Sequence, residues 1–198
     1  MICLVRHGET EFNREARIQG RMESRLTSLG ERQAVAMGSL VADLVRHQPP
    51  APWRLVCSPQ GRALATARAI GEATGLAIET DDRLMEIACG EWEGRLRSEI
   101  AHIHPEKFAG REWFFGAPGG ETYEDVMARA VSFLGDLPPE PQRRVIVVSH
   151  GVMGRLMRGA YAGLSREQTI WQDVPQDACF VLQDGMIGRI EAEPVEAP

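Results

Sequence analysis

Ile2-Cys3-Leu4-Val5-Arg6-His7-Gly8-Glu9-Thr10 stands at the start of the chain. Its apolar run, Ile2 to Val5, has the character of a strand covered on both faces, which places it inside a largely parallel sheet. The strand ends at Arg6-His7, and Gly8 lets the backbone turn there. Open α/β sheets bind their ligands in the crevice outside the carboxyl ends of the strands, so a guanidinium and an imidazole at this point stand where chemistry is done.

Two further strands end in a similar way. Arg54-Leu55-Val56-Cys57 runs into Ser58-Pro59-Gln60-Gly61-Arg62, with Pro59 suited to a first helical turn and the helix continuing to a terminating Gly75. Arg62 therefore falls at a helix amino terminus, and the two together make an anion site. Val145-Ile146-Val147-Val148 runs into Ser149-His150-Gly151 before a helix carrying Met153, Leu156, Met157 and Ala160. Two arginines can fork onto phosphate oxygens, and two imidazoles can supply a nucleophile and a further donor.

Between these strands the pattern is that of an α/β chain. Glu11 to Arg25, with Asn13, Arg14, Arg17, Gln19 and Gly20, has no clear periodicity and reads as a loop with functional contacts. Thr27 or Ser28 caps a helix running to about Arg46, which Pro49-Pro50-Ala51-Pro52 ends. Ala77-Ile78-Glu79 is a third strand, followed by a loop that holds Glu86. Ser98 to Pro118 offers a short helix or two and the aromatics Phe108, Trp113, Phe114 and Phe115, an insertion over the sheet edge. Glu121 to Gly135 is a helix with Tyr123, Val126, Met127, Ala130, Val131 and Leu134 on one face. Cys179 to Gln183 and Met186 to Glu191 form a hairpin about Asp184-Gly185, and the tail from Glu193 is frayed.

The 198 residues, 43% hydrophobic and 25% charged, suit one ordinary globular domain, residues 1–198, with a small cap at about 95–118. A formal net charge of −6 argues against general binding to nucleic acid or an anionic membrane, so any anion must be held by a local cluster of cations. With no charged-then-apolar leader and no apolar run near membrane-spanning length, a cytoplasmic protein is expected. Cys3, Cys57, Cys89 and Cys179 are spaced as buried thiols, not as a disulfide or zinc framework. Neither a P-loop nor a Gly-x-Gly-x-x-Gly turn is present, and His102-x-His104 would diverge on a helix rather than pair on a metal.

Taken in order, Arg6-His7-Gly8-Glu9-Thr10, Asn13, Ser58-Pro59-Gln60-Gly61-Arg62-Ala63, Glu86 with Gly90-x-Trp92-Glu93-Gly94, Gly119-Gly120-Glu121 and Ser149-His150-Gly151 resemble the histidine phosphatase (phosphoglycerate mutase-like) superfamily. The resemblance implies a three-layer α/β/α sandwich on a mostly parallel mixed sheet. It implies that His7 is the phosphorylated nucleophile and that Arg6, Arg62 and His150 grip the oxygens of the transferred group. Glu86 is then the proton donor, and Asn13, Gln19, Gly20 and Gly151 complete the substrate pocket. No metal or cofactor is implied, the partner is a small phosphorylated metabolite, and a homodimer is left open. A metal-independent phosphomonoester hydrolase is the leading expectation. The alternatives are a phosphoglycerate mutase and a non-catalytic phosphoanion-binding module. The short aromatic cap, with Arg95, Arg97, Lys107 and Arg111 dispersed, leads one to expect an apolar wall favouring uncharged or aromatic leaving groups.

Overall fold

The computed structural model describes residues 1–49 and 52–195. Its sheet has six strands in the order β3-β2-β4-β1-β5-β6, comprising β1 (Ile2–Arg6), β2 (Arg54–Cys57), β3 (Ile78–Thr80), β4 (Val145–Ser149), β5 (Ala178–Gln183) and β6 (Met186–Glu191). The first four are mutually parallel, and the β5–β6 hairpin adds on antiparallel beside β1. Asp184 and Gly185 both have positive φ, as a tight hairpin turn requires.

Alternation along the central strands divides the core in two. Ile2, Leu4, Val145 and Val147 face one layer, with α5 (Tyr123–Gly135), α6 (Gly151–Ala162) and α7 (Arg166–Trp171). Cys3, Val5, Ile146 and Val148 face the other, with α2 (Ser28–Arg46) and α3 (Gly61–Thr74). Period-two strands buried on both sides between helices make the expected three-layer sandwich. All four cysteines are buried and free.

Several elements differ from the sequence reading. The presumed loop after β1 contains a helical turn, α1 (Glu11–Arg14), because Thr10 and Asn13 form a reciprocal cap in which Asn13 replaces the usual Glu or Gln. The third strand begins one residue later than expected, at Ile78. On α5 the buried residues are Val126, Ala130 and Phe133, whereas Val131 is exposed; the core seam takes the i, i+4, i+7 positions. The helix α7 was not anticipated, although Ser165 and Gln168 form a capping box that announces it. Thr27, not Ser28, caps α2 by accepting from Gly30 N at 3.0 Å. Part of the proline stop at 49–52 and the last three residues of the tail lie outside the described residues.

The segment from Arg97 to Gly116 folds as α4 (Arg97–Ile103) and two short 3₁₀ turns. Its aromatics pack into the core layer of α5 and α6 instead of over the sheet edge: Phe114 is buried, and Phe108, Trp113 and Phe115 rest against it. Among the described residues no helix is long and apolar enough to cross a membrane.

Candidate active site

Sheet register brings the three strand ends together. Arg6 pairs with Ser149 and Cys57 with Val148, so the residues that follow β1, β2 and β4, namely His7, Ser58 and His150, emerge side by side. His7 N donates to Ser149 O at 3.1 Å and Ser58 N to Val148 O at 3.0 Å, extending the ladder by one step past each strand. The His7 and His150 rings then meet edge to face, with centroids 5.2 Å apart. Gly8 is required by a close approach, since a Cβ there would lie 2.2 Å from the carbonyl oxygen of Gly30.

The imidazoles differ in what they leave free. His7 Nδ1 lies 2.7 Å from Gly8 O, an acceptor, so Nδ1 carries the proton and Nε2 keeps a lone pair. His150 Nδ1 receives Arg62 Nε–H at 3.2 Å, so its proton sits on Nε2, which faces Ser58 Oγ at 2.8 Å. Burial first, then the charges of Arg6 and Arg62, hold His7 well below the usual imidazole range. Burial likewise lowers His150, with Arg62, His7 and Arg6 adding to the effect. Both rings are therefore neutral near pH 7, and His7 presents an unprotonated nitrogen.

Arg62, 2% exposed, gives Nη1 to Met22 O at 3.0 Å and Nη2 to Gly20 O at 2.7 Å. With Nε on His150, three of its five N–H groups are used and two remain. Arg6 reaches Val174 O with Nη1, while its buried Nε has no partner among the described residues. Burial lowers its guanidinium to about 10, against the opposing pull of Glu86. Gln19 accepts from Thr10 Oγ1 at 3.1 Å, and among the described residues its buried Nε2 is also without a partner. Orphaned buried donors are rare in proteins, and two of them at one cavity suit an anion.

Glu86 lies at the amino terminus of α6. Its Oε2 accepts from Val152 N at 3.2 Å and its Oε1 from Met153 N at 3.1 Å, which aims the carboxyl across the cavity. Gln60 Oε1 holds the Glu86 backbone N–H at 2.8 Å, and Arg129 grips the carbonyls of Arg83 and Met85 at 2.7 and 2.8 Å. A Cβ on Gly151 would sit 3.7 Å from both Arg6 Nε and Glu86 Oε2, in ordinary contact with the two charged groups. Glu93 accepts from Arg21 N and Cys89 N, both at 2.9 Å, and packs against Gly20, where a φ of +52° and the closeness of the Glu93 side chain favour glycine. Glu91 is exposed, and neither it nor Glu93 lines the cavity.

The cavity encloses about 630 Å³. That is the size of a whole metabolite, not of a phosphate alone. Of the residues singled out from the sequence, Arg6, His7, Asn13, Gln19, Gly20, Arg62, Glu86 and Gly151 line it, while His150 stands behind them against His7 and Arg62. Arg17, which the sequence reading named only within a contact-bearing loop, Arg97 and Arg111, named only as dispersed cap charges, and Arg155, which it missed, complete a lining of six arginines around the carboxylate of Glu86 among the described residues.

These arginines overturn the expected apolar wall. Trp113 and Phe114 reach the cavity but Phe108 and Phe115 do not, and the aromatics serve as seats for cations. The Arg97 guanidinium lies 5.1 Å over Trp113, Arg111 lies 4.1 Å over Trp171, and Arg155 lies 5.9 Å over Phe114. Arg97 and Arg111, dispersed in sequence, thus converge at the mouth. His104 stacks on Trp92 with centroids 5.6 Å apart, and among the described residues no cluster of three or more His, Cys, Asp or Glu is arranged to hold a metal.

The fold and this strand-end cavity define a class, and comparison with known proteins identifies it. The model of the histidine phosphatase superfamily (branch 1) matches residues 2–183, and the chain belongs to that superfamily. Within it, the chain is 35% identical over 161 residues to glucosyl-3-phosphoglycerate phosphatase of Mycobacterium tuberculosis, covering 76% of this chain and 70% of that protein. It is also 35% identical over 159 residues to the probable phosphoglycerate mutase GpmB of Salmonella paratyphi B, covering 76% and 69%. The solved mycobacterial glucosyl-3-phosphoglycerate phosphatase in complex with VO3 superposes with a TM-score of 0.77 at 32% identity, covering 91% of this chain and 92% of that one.

Proposed function

We propose that this protein is a phosphomonoester hydrolase that passes the phosphoryl group through Nε2 of His7. The carrying observation is the neutral His7 ring, its Nε2 unprotonated, in one cavity with N–H groups of Arg6 and Gln19 that have no partner among the described residues. The Nε2 lone pair attacks phosphorus in line, the bond to the leaving oxygen breaks, and Glu86 in its acid form gives that oxygen a proton. Water then attacks the phosphohistidine, Glu86 takes up the proton, and the P–N bond breaks to return neutral His7 and inorganic phosphate. Arg6, Arg62 and the amides of Asn13 and Gln19 bear the charge spread over the transferred oxygens, with His150 holding Arg62 in place. Charge neutralisation falls to arginines, so the reaction needs no metal ion.

The segment at about 95–118 acts as the cap of a single domain, and its arginines favour a small phosphorylated metabolite bearing a second anionic group. The phosphoglycerate ester named for the mycobacterial relative has that character. A mutase reading draws on the GpmB relative; the two differ in whether phosphohistidine is returned to water or to a second hydroxyl.

The deciding experiment is a rapid acid quench on ice after mixing with a radiolabelled phosphomonoester. Base-stable, acid-labile label is expected on His7, and His7→Ala should lose it together with on the order of 10⁴-fold or more in turnover. Label on another residue, or near-normal turnover in His7→Ala, rules the mechanism out. Rapid interconversion of phosphoglycerates would favour the mutase.

A further inference from the structure

The loop between α7 and β5, residues 172–176, is held from one residue to the next by side chains that reach its carbonyls. Arg155 Nε donates to Gln172 O at 2.8 Å, Arg158 Nη2 to Asp173 O at 2.5 Å, and Arg6 Nη1 to Val174 O. Gln172 Nε2 answers with a bond to Arg155 O at 3.0 Å. Arg158 is 3% exposed and lies 3.7 Å over the Phe180 ring, so a buried cation is committed to this loop. Burying a charge is costly unless partners compensate, and here the partners are the loop itself and Asp173.

The restrained loop delivers Gln176, whose Nε2 donates to His7 O at 3.2 Å and to Asn13 Oδ1 at 3.0 Å. Polarity settles which atoms meet. The backbone N–H of Thr10 can only donate, and it lies 3.2 Å from Asn13 Oδ1, so that oxygen faces Thr10 and Nδ2 is turned the other way. Gln176 consequently confronts two acceptors, which only its amide nitrogen can satisfy. The His7 carbonyl it holds belongs to the same peptide whose N–H, on Gly8, donates to Thr66 Oγ1 at 3.1 Å. One peptide plane is thus clamped from both sides. Its tilt governs the His7 ring, because His7 Nδ1 closes on the next carbonyl, that of Gly8.

The geometry points to Gln176 as a positioning residue that locks the His7–Gly8 peptide and the Asn13 amide together, so that His7 Nε2 and Asn13 Nδ2 address the same phosphoryl group. This rests on the reading of His7 as nucleophile. Gln176 touches no reacting atom; it acts through His7 and Asn13.

Single-turnover phosphorylation by nitrophenyl phosphate tests it in Gln176→Met, which keeps the bulk without the amide, and in Gln176→Glu, which sets a carboxylate against two acceptor oxygens. The expected loss in the rate of His7 phosphorylation is about tenfold or more for Met and larger for Glu, with a melting temperature within a few degrees of wild type for Met. Asn13→Ala should cost at least about fivefold less in the Gln176→Met background than alone, since the two act as a unit. If the Met variant melts below assay temperature, Thr66→Val releases the other side of the same peptide and must slow the same step, with its effect shrinking when combined with Gln176→Glu. Folded Met and Glu variants that phosphorylate within about twofold of wild type, or strictly additive losses with Asn13→Ala, overturn the proposal. Failure of the underlying mechanism is seen separately, as wild-type label on a residue other than His7.

Discussion

The floor and the mouth of the cavity are built on different principles. At the floor, His7, Arg62 and His150 are 2–3% exposed and stand one to five residues beyond strands whose register is set by ladder hydrogen bonds. At the mouth, Arg97 and Arg111 are exposed and are seated on the faces of Trp113 and Trp171, and none of the four residues lies on or beside a strand end. The floor gains its geometry from the backbone, so a change there alters the chemistry. The mouth gains its geometry from side-chain stacking in solvent, where each interaction is worth little and substitution alters selection. The same contrast explains how a chain of net charge −6 can offer an anion site: the cations are gathered locally, not supplied by the overall field.

The largest expected effect tests the floor. Glu86→Gln removes the transferable proton while its amide oxygen still accepts from one of the two α6 N–H groups, its NH2 being left against the other. It should slow enzyme phosphorylation by alkyl phosphates about 10²- to 10⁴-fold and by nitrophenyl phosphate much less, because nitrophenolate leaves without a proton. Single-turnover rates with the two substrates decide the matter. Equal losses would take the acid role away from Glu86, with Glu91 and Glu93 poor substitutes given where they lie.

A smaller effect tests the mouth. Arg97→Ala and Arg111→Ala should each raise KM for a phosphoglycerate ester about two- to tenfold, leaving kcat/KM for nitrophenyl phosphate nearly unchanged. A uniform loss on both substrates, or none on either, would mean that these arginines do not read a second anion and would erase the functional distinction between the two regions.

The smallest effect is on stability. His7 and His150 are buried neutral, with folded values below the unfolded one of about 6.5. Below about pH 6.5 the unfolded chain binds protons that the folded protein does not, so stability is fully present above that pH and falls as pH drops toward the folded values. Denaturant titrations between pH 7 and 5, above the range where carboxylates such as Asp81 and Glu79 add their own loss, should show this slope. His150→Gln should flatten it. An unchanged slope would place the protonation elsewhere.

Much of the floor was legible because strand ends write their chemistry locally. Arg6-His7-Gly8, Ser58 to Arg62 and Ser149-His150-Gly151 each lie within a few residues of an apolar run, and parallel pairing converges them. The helix α7 was legible too, through Ser165 and Gln168, but its short, mixed composition hid it. On α5, Val131 and Phe133 are equally apolar, and only the angle at which the helix meets the sheet selects Phe133.

By itself, then, the sequence determined a largely parallel α/β sheet, the strand-end cation pair and the two histidines, because apolar runs and strand termination are properties of contiguous residues. The three-layer sandwich came with the family resemblance that the ordered motifs carry. Tertiary structure alone decided the tautomers of His7 and His150, which depend on partners at Gly8, Arg62 and Ser58. It also decided that the cap aromatics Trp113 and Phe114 carry Arg97 and Arg155 instead of forming an apolar wall, and that the cap's Arg111 stacks on Trp171 of α7, sixty positions away. Gln176 stands 169 residues from His7 and belongs to no motif. Its bearing on the nucleophile exists only because β5 pairs with β1 and brings the preceding loop under the turn where the chemistry sits.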